Sequence, residues 1–211
     1  MEVESMANPK YDDMTALELD VIKEIGSIGS GNAVTALSSM LNTTVNMKVP
    51  EVSILKFNAA VKYVGIADEP IAAIMVEMSG QIQGMMMFML KRKFINEIAK
   101  KVLGQECHPI QELTEMETSL LVEVGNIMIS SYITAMASLT GTSVQLSIPQ
   151  LTVDMLGAIL TVPMLQVANT SDEIMMVKGS FIMEGKEMES QMLLFPDVAS
   201  LEMLMKKLGV R

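Results

Sequence analysis

Two groups of three polar residues share one spacing, in which the second residue follows the first by four positions and the third by seven. They are Asp20, Glu24 and Ser27, and Ser119, Glu123 and Asn126. On an α-helix this spacing puts all three side chains on one face. A carboxylate there can pair with a cation on a partner, and a carboxamide can both donate a hydrogen bond to water and accept one. Either group alone is typical of a solvated helix surface.

The two groups belong to an internal repeat with an offset of 99 positions. The segment from Thr15 to Val52 aligns without a gap on the segment from Thr114 to Leu151. Identical residues meet at Glu18 and Glu117, Glu24 and Glu123, Gly26 and Gly125, and Pro50 and Pro149. The small residues Gly31 and Ser130 follow one turn later on each polar face. The polar face therefore recurs in both copies and stays open to a close-approaching partner.

Each copy begins with a capping box, in which a Thr hydroxyl caps the helix and the Glu three residues later reaches back. The boxes are Thr15 to Glu18 and Thr114 to Glu117. They predict helices of about 25 residues, which end near Leu41 and Leu139 with Asn42 and Gly141 as stops. Gly26 and Gly125 point away from the polar face and are expected to pack on a sheet.

The rest of each copy reads as strands followed by a closing helix. The predicted strands are Thr44–Val49, Val52–Phe57, Ala60–Ile66, Ile71–Met78, Gln83–Leu90, Thr142–Ile148, Ile174–Ile182 and Met188–Leu194; the predicted closing helices are Lys93–Leu103 and Val198–Leu208. Asp154 to Ala168 has no obvious counterpart in the first copy. We predict a helix there with Asp154 as a candidate cap, although Pro163 argues against a straight one.

These elements predict an α+β fold built from two repeats that are related by a pseudo-two-fold axis and share one β-sheet. The two long helices that carry the polar groups lie on one face of that sheet. The first repeat covers residues 14–104 and the second covers 111–209, and together they form one compact domain. Residues 1–13 form an N-terminal extension. Because the duplication already supplies a two-fold arrangement, we expect a monomer.

Composition excludes several classes of function. The net charge is −10, and the longest basic cluster is Lys91 to Lys93, so nucleic acid is a poor partner. The single cysteine, Cys107, cannot form an internal disulfide, which fits a reducing cytoplasm. With no continuous apolar span of about 20 residues and no signal peptide, we expect a cytoplasmic protein and not a membrane protein. The 23 methionines are best explained as core packing, and a pliable binding surface is the alternative.

Two further motifs carry little weight. The glycine-rich stretch from Gly26 to Gly31 resembles a phosphate loop, but a helix start precedes it and it lacks the Lys-Ser/Thr ending. Cys107 and His108 adjoin each other without the further ligands that a zinc site needs. We therefore predict no nucleotide site and no metal site on this chain.

The spacing of the polar groups resembles the signature of the CheC, CheX and FliY phosphatases. That signature is Asp or Ser, three residues, Glu, two residues, Asn, twenty-two residues and Pro. The second copy matches it completely, whereas Ser27 stands in the first copy where the family has Asn. The stretches Leu19–Ala33 and Val153–Ile159 also resemble CheC, which likewise carries two copies of the signature in about this length.

The resemblance implies a phosphatase that acts on the aspartyl phosphate of the CheY response regulator. It implies that Glu123 and Glu24 bridge to a lysine of CheY and that Asn126 orients the attacking water. Ser27 makes the first site degenerate, and Asp20, Ser119, Pro50 and Pro149 support the two sites. No cofactor is expected on this chain, because Mg²⁺ is expected on the regulator.

Two alternatives stay open. CheC-like proteins also bind CheD, the receptor deamidase, so the chain is alternatively an adaptor that sequesters CheD or phosphorylated CheY. The segment that begins at Asp154 is then the candidate docking surface, although it serves equally well as a core element. The third interpretation, a structural part of the flagellar switch, is disfavoured because no switch domain is appended.

Overall fold

A computed structural model describes residues 14–167 and 173–210 of the chain. Within these ranges the chain forms six α-helices and seven strands. In chain order they are α1 (Ala16–Leu41), β1 (Val45–Lys56), α2 (Phe57–Val64), β2 (Pro70–Gly80), β3 (Gly84–Leu90), α3 (Arg92–Leu103), α4 (Glu115–Thr140), β4 (Val144–Leu146), β5 (Gln150–Met155), α5 (Leu156–Val167), β6 (Glu173–Met183), β7 (Lys186–Pro196) and α6 (Val198–Lys207). A 3₁₀ turn, Ile110–Glu112, precedes α4.

Both capping boxes form as predicted. The Thr15 hydroxyl accepts a hydrogen bond from the Glu18 N–H at 3.3 Å, and the Glu18 carboxylate accepts one from the Thr15 N–H at 2.6 Å. Thr114 and Glu117 repeat the arrangement at the start of α4. Each helix ends at a residue in the left-handed region, at Asn42 for α1 and at Gly141 for α4. The predicted extent of the long helices is therefore confirmed.

All neighbouring strands of the sheet run antiparallel, in the order β1-β6-β7-β3-β2, with β4 and β5 both pairing with the far edge of β2. If each strand is replaced by its counterpart in the other repeat, the same order is obtained, read from the opposite edge of the sheet. A two-fold relation between the repeats requires such an order. The first strand of each repeat pairs with a strand of the other repeat. The predicted α+β fold with one shared sheet is confirmed, and the exact symmetry axis stays a prediction.

The strand prediction near Pro50 was wrong in one respect. β1 is a single strand that continues through Pro50, with a register shift between Lys48 and Glu51. Proline has no N–H to donate to a ladder, so the strand bulges there without ending. In the second repeat the same point is a complete break between β4 and β5, at Pro149.

The predicted strand Ala60–Ile66 was also wrong, because residues 60–64 belong to helix α2 and Ile66 lies in the loop that follows it. Ala60 and Val64 are buried four residues apart, which is a helical period. The helix begins 99 positions before α5, so α2 is the counterpart of α5 that the sequence alone did not reveal. The predicted second-half helix is confirmed as α5. Its candidate cap was wrong, since Asp154 lies in β5 and the helix begins at Leu156.

The sheet separates two apolar layers. On one side α1, α3, α4 and α6 cover the larger core, and on the other side α2 and α5 cover a smaller one. Strand β3 serves both: Met86, Phe88 and Leu90 face the larger core, and the alternate residues face the smaller one. Most of the buried methionines lie in these cores, as the core-packing interpretation predicts.

Among the described residues, α4 is long and apolar enough to cross a membrane by length and composition alone. However, 56% of its most apolar stretch is buried inside the fold. Leu121, Val124 and Ile129 of this helix are completely buried against the sheet and the neighbouring helices. The apolar character of α4 is thus explained by its place in the core.

Candidate functional site

The two site-bearing helices α1 and α4 pack side by side on the same face of the sheet. They approach each other closely at Gly29, where an added Cβ would lie 2.8 Å from the Cα of Tyr132. Beside this contact the Ser30 hydroxyl and the Tyr132 hydroxyl are hydrogen-bonded at 2.5 Å in a buried position. Burial raises the pKa of Tyr132 to about 12, against the opposing effect of the Ser30 hydrogen bond, so the phenol stays neutral. The contact fixes the two site-bearing helices against each other.

Gly26 and Gly125, which occupy equivalent positions in the two repeats, lie on the side of each helix that faces away from the polar row. A Cβ on Gly26 would lie 3.5 Å from the Pro50 ring and 3.6 Å from Val177. A Cβ on Gly125 would lie 2.3 Å from the Ile74 side chain. Both glycines therefore let the helices approach the sheet closely, as predicted, and they set the depth at which the polar faces sit.

Each polar group forms a solvent-facing row along its helix. Asp20 and Glu24 are exposed and Ser27 is half-buried; Ser119, Glu123 and Asn126 form the equivalent row on α4. Asp20 also pairs with Lys23 at 3.1 Å on the surface. Both glutamates thus present their carboxylates to a partner, and the third residue of each row lies one turn further along the same face.

The two rows differ at their third residue. The carboxamide oxygen of Asn126 accepts a hydrogen bond from the Ser130 hydroxyl at 3.2 Å, and that hydroxyl also donates to the Asn126 backbone carbonyl. This contact orients the amide so that its NH₂ group faces away from Ser130. In the first row Gly31 takes the place of Ser130, and nothing lies within 4 Å of a Cβ built there.

A groove of about 230 Å³ opens beside the first row, between α1 and β1. Ser27, Gly31 and Pro50 line it together with Val49. Pro50 itself is buried against Gly26, whereas Pro149 is half-buried in the break between β4 and β5. Each motif proline therefore lies at an irregularity of an edge strand, a bulge in β1 at Pro50 and a break between β4 and β5 at Pro149.

Asp154 lies apart from both rows. It is exposed at the end of β5, and its carboxylate accepts a hydrogen bond from the Met155 N–H at 2.7 Å. The helix that follows it, α5, packs on the other side of the sheet from α1 and α4. Both rows thus lie on helices that cover the same side of the sheet, and Asp154 lies apart from them.

The carboxylate of the second capping box, Glu117, is buried and has a further partner that the sequence did not reveal. Glu117 accepts hydrogen bonds from the N–H and hydroxyl of Thr114 and from the N–H and ring Nδ1 of His108. Burial opposes its ionisation, but these hydrogen bonds outweigh burial and lower its pKa to about 2. Burial, aided by the charge of Glu117, raises the pKa of the adjacent Cys107 thiol to about 11, so this cysteine stays protonated. The only sequence signal for this contact was the single His, six residues before the capping box.

We predict that Glu117→Gln destabilises the protein by roughly 2 kcal/mol at pH 7, because hydrogen bonds to a charged group are lost. The pKa in the folded chain lies below its ordinary value of 4.5. The stabilisation by ionised Glu117 is therefore complete above pH 4.5 and is lost as pH falls toward 2. Urea unfolding at several pH values should show the two proteins converging in acid. The exposed Glu112→Gln is the control, and a difference independent of pH would contradict the assignment.

The described residues contain no cluster of three or more His, Cys, Asp or Glu side chains that could hold a metal ion. A larger groove, of about 700 Å³, lies away from the two rows, at one end of the sheet. It is lined by residues between Val64 and Ile71, by Leu90 to Arg92 and by Pro109 to Gln111, together with Leu156. The chemistry of the paired helices is thus that of an open face and not of an enclosed pocket.

Comparison with known proteins agrees with this arrangement. The model of the CheC-like family matches residues 17–54, and the model of the chemotaxis phosphatase CheX matches residues 72–167. The chain is 31% identical to the CheY-P phosphatase CheC of Bacillus subtilis over 91% of its own length and 94% of that protein. It is 29% identical to the flagellar motor switch phosphatase FliY of the same organism, over 67% of this chain and 37% of FliY.

The fold is shared with solved structures. The crystal structure of Thermotoga maritima FliY aligns with a TM-score of 0.73 at 22% identity, over 93% of this chain and 98% of that one. The middle domain of Helicobacter pylori FliM aligns with a TM-score of 0.68 at 12% identity, over 92% and 99%. The repeat, the two polar rows and the match to CheC along nearly the whole chain lead to one conclusion: this protein belongs to the CheC-like family of chemotaxis phosphatases.

Proposed function

We propose that this protein hydrolyses the aspartyl phosphate of a phosphorylated CheY response regulator. The observation that carries the proposal is the second row, in which Glu123 and an oriented Asn126 carboxamide lie one turn apart on an open helix face. The B. subtilis relative is named a CheY-P phosphatase, which supports the same substrate. An open face suits a folded protein substrate better than a small molecule, because small ligands are usually bound in concave sites.

In the proposed mechanism Glu123 pairs with a lysine of the regulator, and this ion pair brings the phosphoryl group to Asn126. The carboxamide then holds a water molecule in line with the phosphorus. The water oxygen bonds to phosphorus, the bond to the aspartyl oxygen breaks, and the products are the free aspartate and inorganic phosphate. The regulator holds the Mg²⁺ that neutralises the developing charge, so this chain needs no cofactor.

We propose that the Glu24/Ser27 site is weak or only binds. A hydroxyl is shorter than a carboxamide and presents a single oxygen. It therefore reaches less far towards the regulator and cannot hold a water molecule between a separate donor and acceptor, as a carboxamide can. The 230 Å³ groove beside Ser27 is consistent with a side chain too short to fill the site. Asp20 and Ser119 are proposed to support docking one turn before each glutamate.

Release of inorganic phosphate from pre-phosphorylated CheY with Mg²⁺ tests the proposal. We expect the wild-type chain to accelerate release and the Glu123→Ala/Asn126→Ala variant to lose nearly all of that acceleration. The matched control is Glu24→Ala/Ser27→Ala, which should retain most of it. A wild-type chain that leaves the rate of release unchanged would refute the enzymatic proposal.

The second candidate function is binding of the deamidase CheD, either alone or together with CheY-P, by a monomeric adaptor. This function is favoured by the exposed apolar side chains that follow Asp154. Met155, Val162 and Leu165 expose 51%, 41% and 73% of their surface. We expect Asp154→Ala/Leu165→Ser to weaken CheD binding in calorimetry by about tenfold and to leave phosphate release unchanged. Equal CheD affinity of variant and wild type would remove α5 from this role.

A further inference from the structure

Large apolar side chains are exposed at equivalent positions of the two repeats. Leu17 and Met116, which are 99 positions apart, expose 59% and 68% of their surface. Val49 and Ile148, at the same offset, expose 80% and 84%. Single exposed apolar residues are common on protein surfaces and need no explanation. Exposed apolar residues that recur in both repeats, at the same sequence offset from each polar row, are better explained by a function common to the two rows.

These residues lie at the two ends of each site. Leu17 and Met116 precede the first residue of their row by three positions, which places them one turn earlier on the same helix face. Val49 and Ile148 each stand immediately before the motif proline. Val49 lines the groove that Ser27 opens onto, so the apolar side chain and the polar row share one surface. The first row is therefore flanked by an apolar residue on the helix and another on the edge strand, and the repeat places Met116 and Ile148 at the equivalent positions of the second copy.

Two other exposed pairs follow the repeat but lie elsewhere. They are Tyr63 with Val162 and Ile66 with Leu165, and they belong to α2, α5 and the loop after α2, on the other side of the sheet. These pairs cannot contact a partner that is seated on the rows. Among them Ile66, which is 70% exposed, provides a control for the apolar residues near the rows.

We infer that Met116 and Ile148, and their counterparts Leu17 and Val49, are the apolar anchors on which the phosphorylated response regulator docks. The inference rests on the proposed function and extends it from the reacting groups to the recognition surface. The continuity of each pair with its row selects the regulator as the occupant, because any protein whose phosphoryl group reaches Asn126 must cover this surface. Buried aromatic and apolar anchors supply much of the binding energy in protein interfaces.

The anchors have a definite kinetic signature. They lie beside the reacting atoms and not on them, so they bind the ground state and the transition state equally. Such uniform binding lowers KM without changing kcat. Their closure around the row also excludes bulk water from the phosphoryl group, which strengthens the polar contacts formed there.

The test compares Met116→Ser/Ile148→Ser with Ile66→Ser, which removes one exposed apolar side chain on the other side of the sheet. Phosphate release is measured against the concentration of phosphorylated regulator. Calorimetry with the regulator held in its active form by beryllofluoride reports Kd without turnover. We expect the double variant to raise KM and Kd by about tenfold with kcat within about twofold of wild type. Ile66→Ser should match wild type in all three. The substituted residues are all exposed, so melting curves should coincide.

In the same calorimetry, Leu17→Ser/Val49→Ser is expected to weaken binding of the regulator at the first row. Unchanged KM and Kd in the Met116/Ile148 variant would overturn the inference, as would a lower kcat at unchanged KM. Loss of self-association in sedimentation, with the regulator affinity unchanged, would assign the surface to a second copy of this chain instead. A wild-type chain that binds the beryllofluoride form through these anchors but releases no phosphate would refute the enzymatic proposal and leave the inference standing.

Discussion

Replacing Asn126 with alanine is expected to slow phosphate release from phosphorylated CheY by about a hundredfold, whereas Ser27→Ala changes it by at most about twofold. The asymmetry follows from the two rows. Asn126 is oriented by the Ser130 hydroxyl and offers both a donor and an acceptor to water. Ser27 offers one hydroxyl at the edge of an unfilled groove. Single-turnover measurements, which isolate the chemical step from docking, are the appropriate assay.

The reciprocal change sharpens this prediction. Ser27→Asn in the Asn126→Ala background should recover at least about a tenth of the wild-type rate, because the 230 Å³ groove beside Ser27 accommodates the longer side chain. Ser27→Gln is the matched control, since it carries the same amide one methylene further out. Equal losses for Asn126→Ala and Ser27→Ala would show that the two sites work alike and that the asymmetric mechanism is wrong.

Gly29→Ala is expected to destabilise the fold by about 2 kcal/mol, although alanine is intrinsically the better helix former by about 1 kcal/mol. A Cβ at this position would lie 2.8 Å from the Cα of Tyr132 and 3.0 Å from its ring. Backbone cannot move aside as a flexible side chain can, so α1 and α4 must separate. The separation also strains the buried hydrogen bond between Ser30 and Tyr132. The urea midpoint of unfolding measures the loss.

Gly31→Ala provides the matched control, two residues further along the same helix. Nothing lies within 4 Å of a Cβ at Gly31, so only the intrinsic preference acts. We expect this variant to be more stable than wild type by about 0.5 to 1 kcal/mol. Two substitutions of the same chemical kind should thus shift the urea midpoint in opposite directions. A shift of the same sign for both would contradict the close approach of α1 and α4 at Gly29.

Much of the site was readable in the sequence because its information is local. The four-and-seven spacing of the polar rows and the two capping boxes each span fewer than three helical turns, and helical geometry alone converts them into a shared face. Because the repeat has an offset of 99 residues, each of these patterns occurs twice in the chain. That is why the ends of α1 and α4, at Asn42 and Gly141, and the sheet-facing role of Gly26 and Gly125 were predicted correctly.

Short apolar segments were predicted less well. Helix α2 has eight residues, and its two buried positions, Ala60 and Val64, are too few to separate a helical period from a strand. What decides the case is contact with residues far away in the chain, since α2 packs against the layer formed by α5. The continuation of β1 through Pro50 likewise depends on its pairing with β6, which lies far along the chain in the second repeat.

By itself the sequence determined the repeat, the two site-bearing helices and the residues of each polar row, because these depend on spacing along one element. Only the tertiary structure decided that the edge strands of each repeat pair with a strand of the other repeat and that Gly29 lies against the Tyr132 backbone. It alone buried the Glu117 carboxylate in contact with the exposed His108, and it alone left Val49 and Ile148 exposed before the motif prolines. The physical reason is that burial and pairing are properties of segments that meet in space, and the spacing of residues along a single helix or strand carries no record of which segment it will meet.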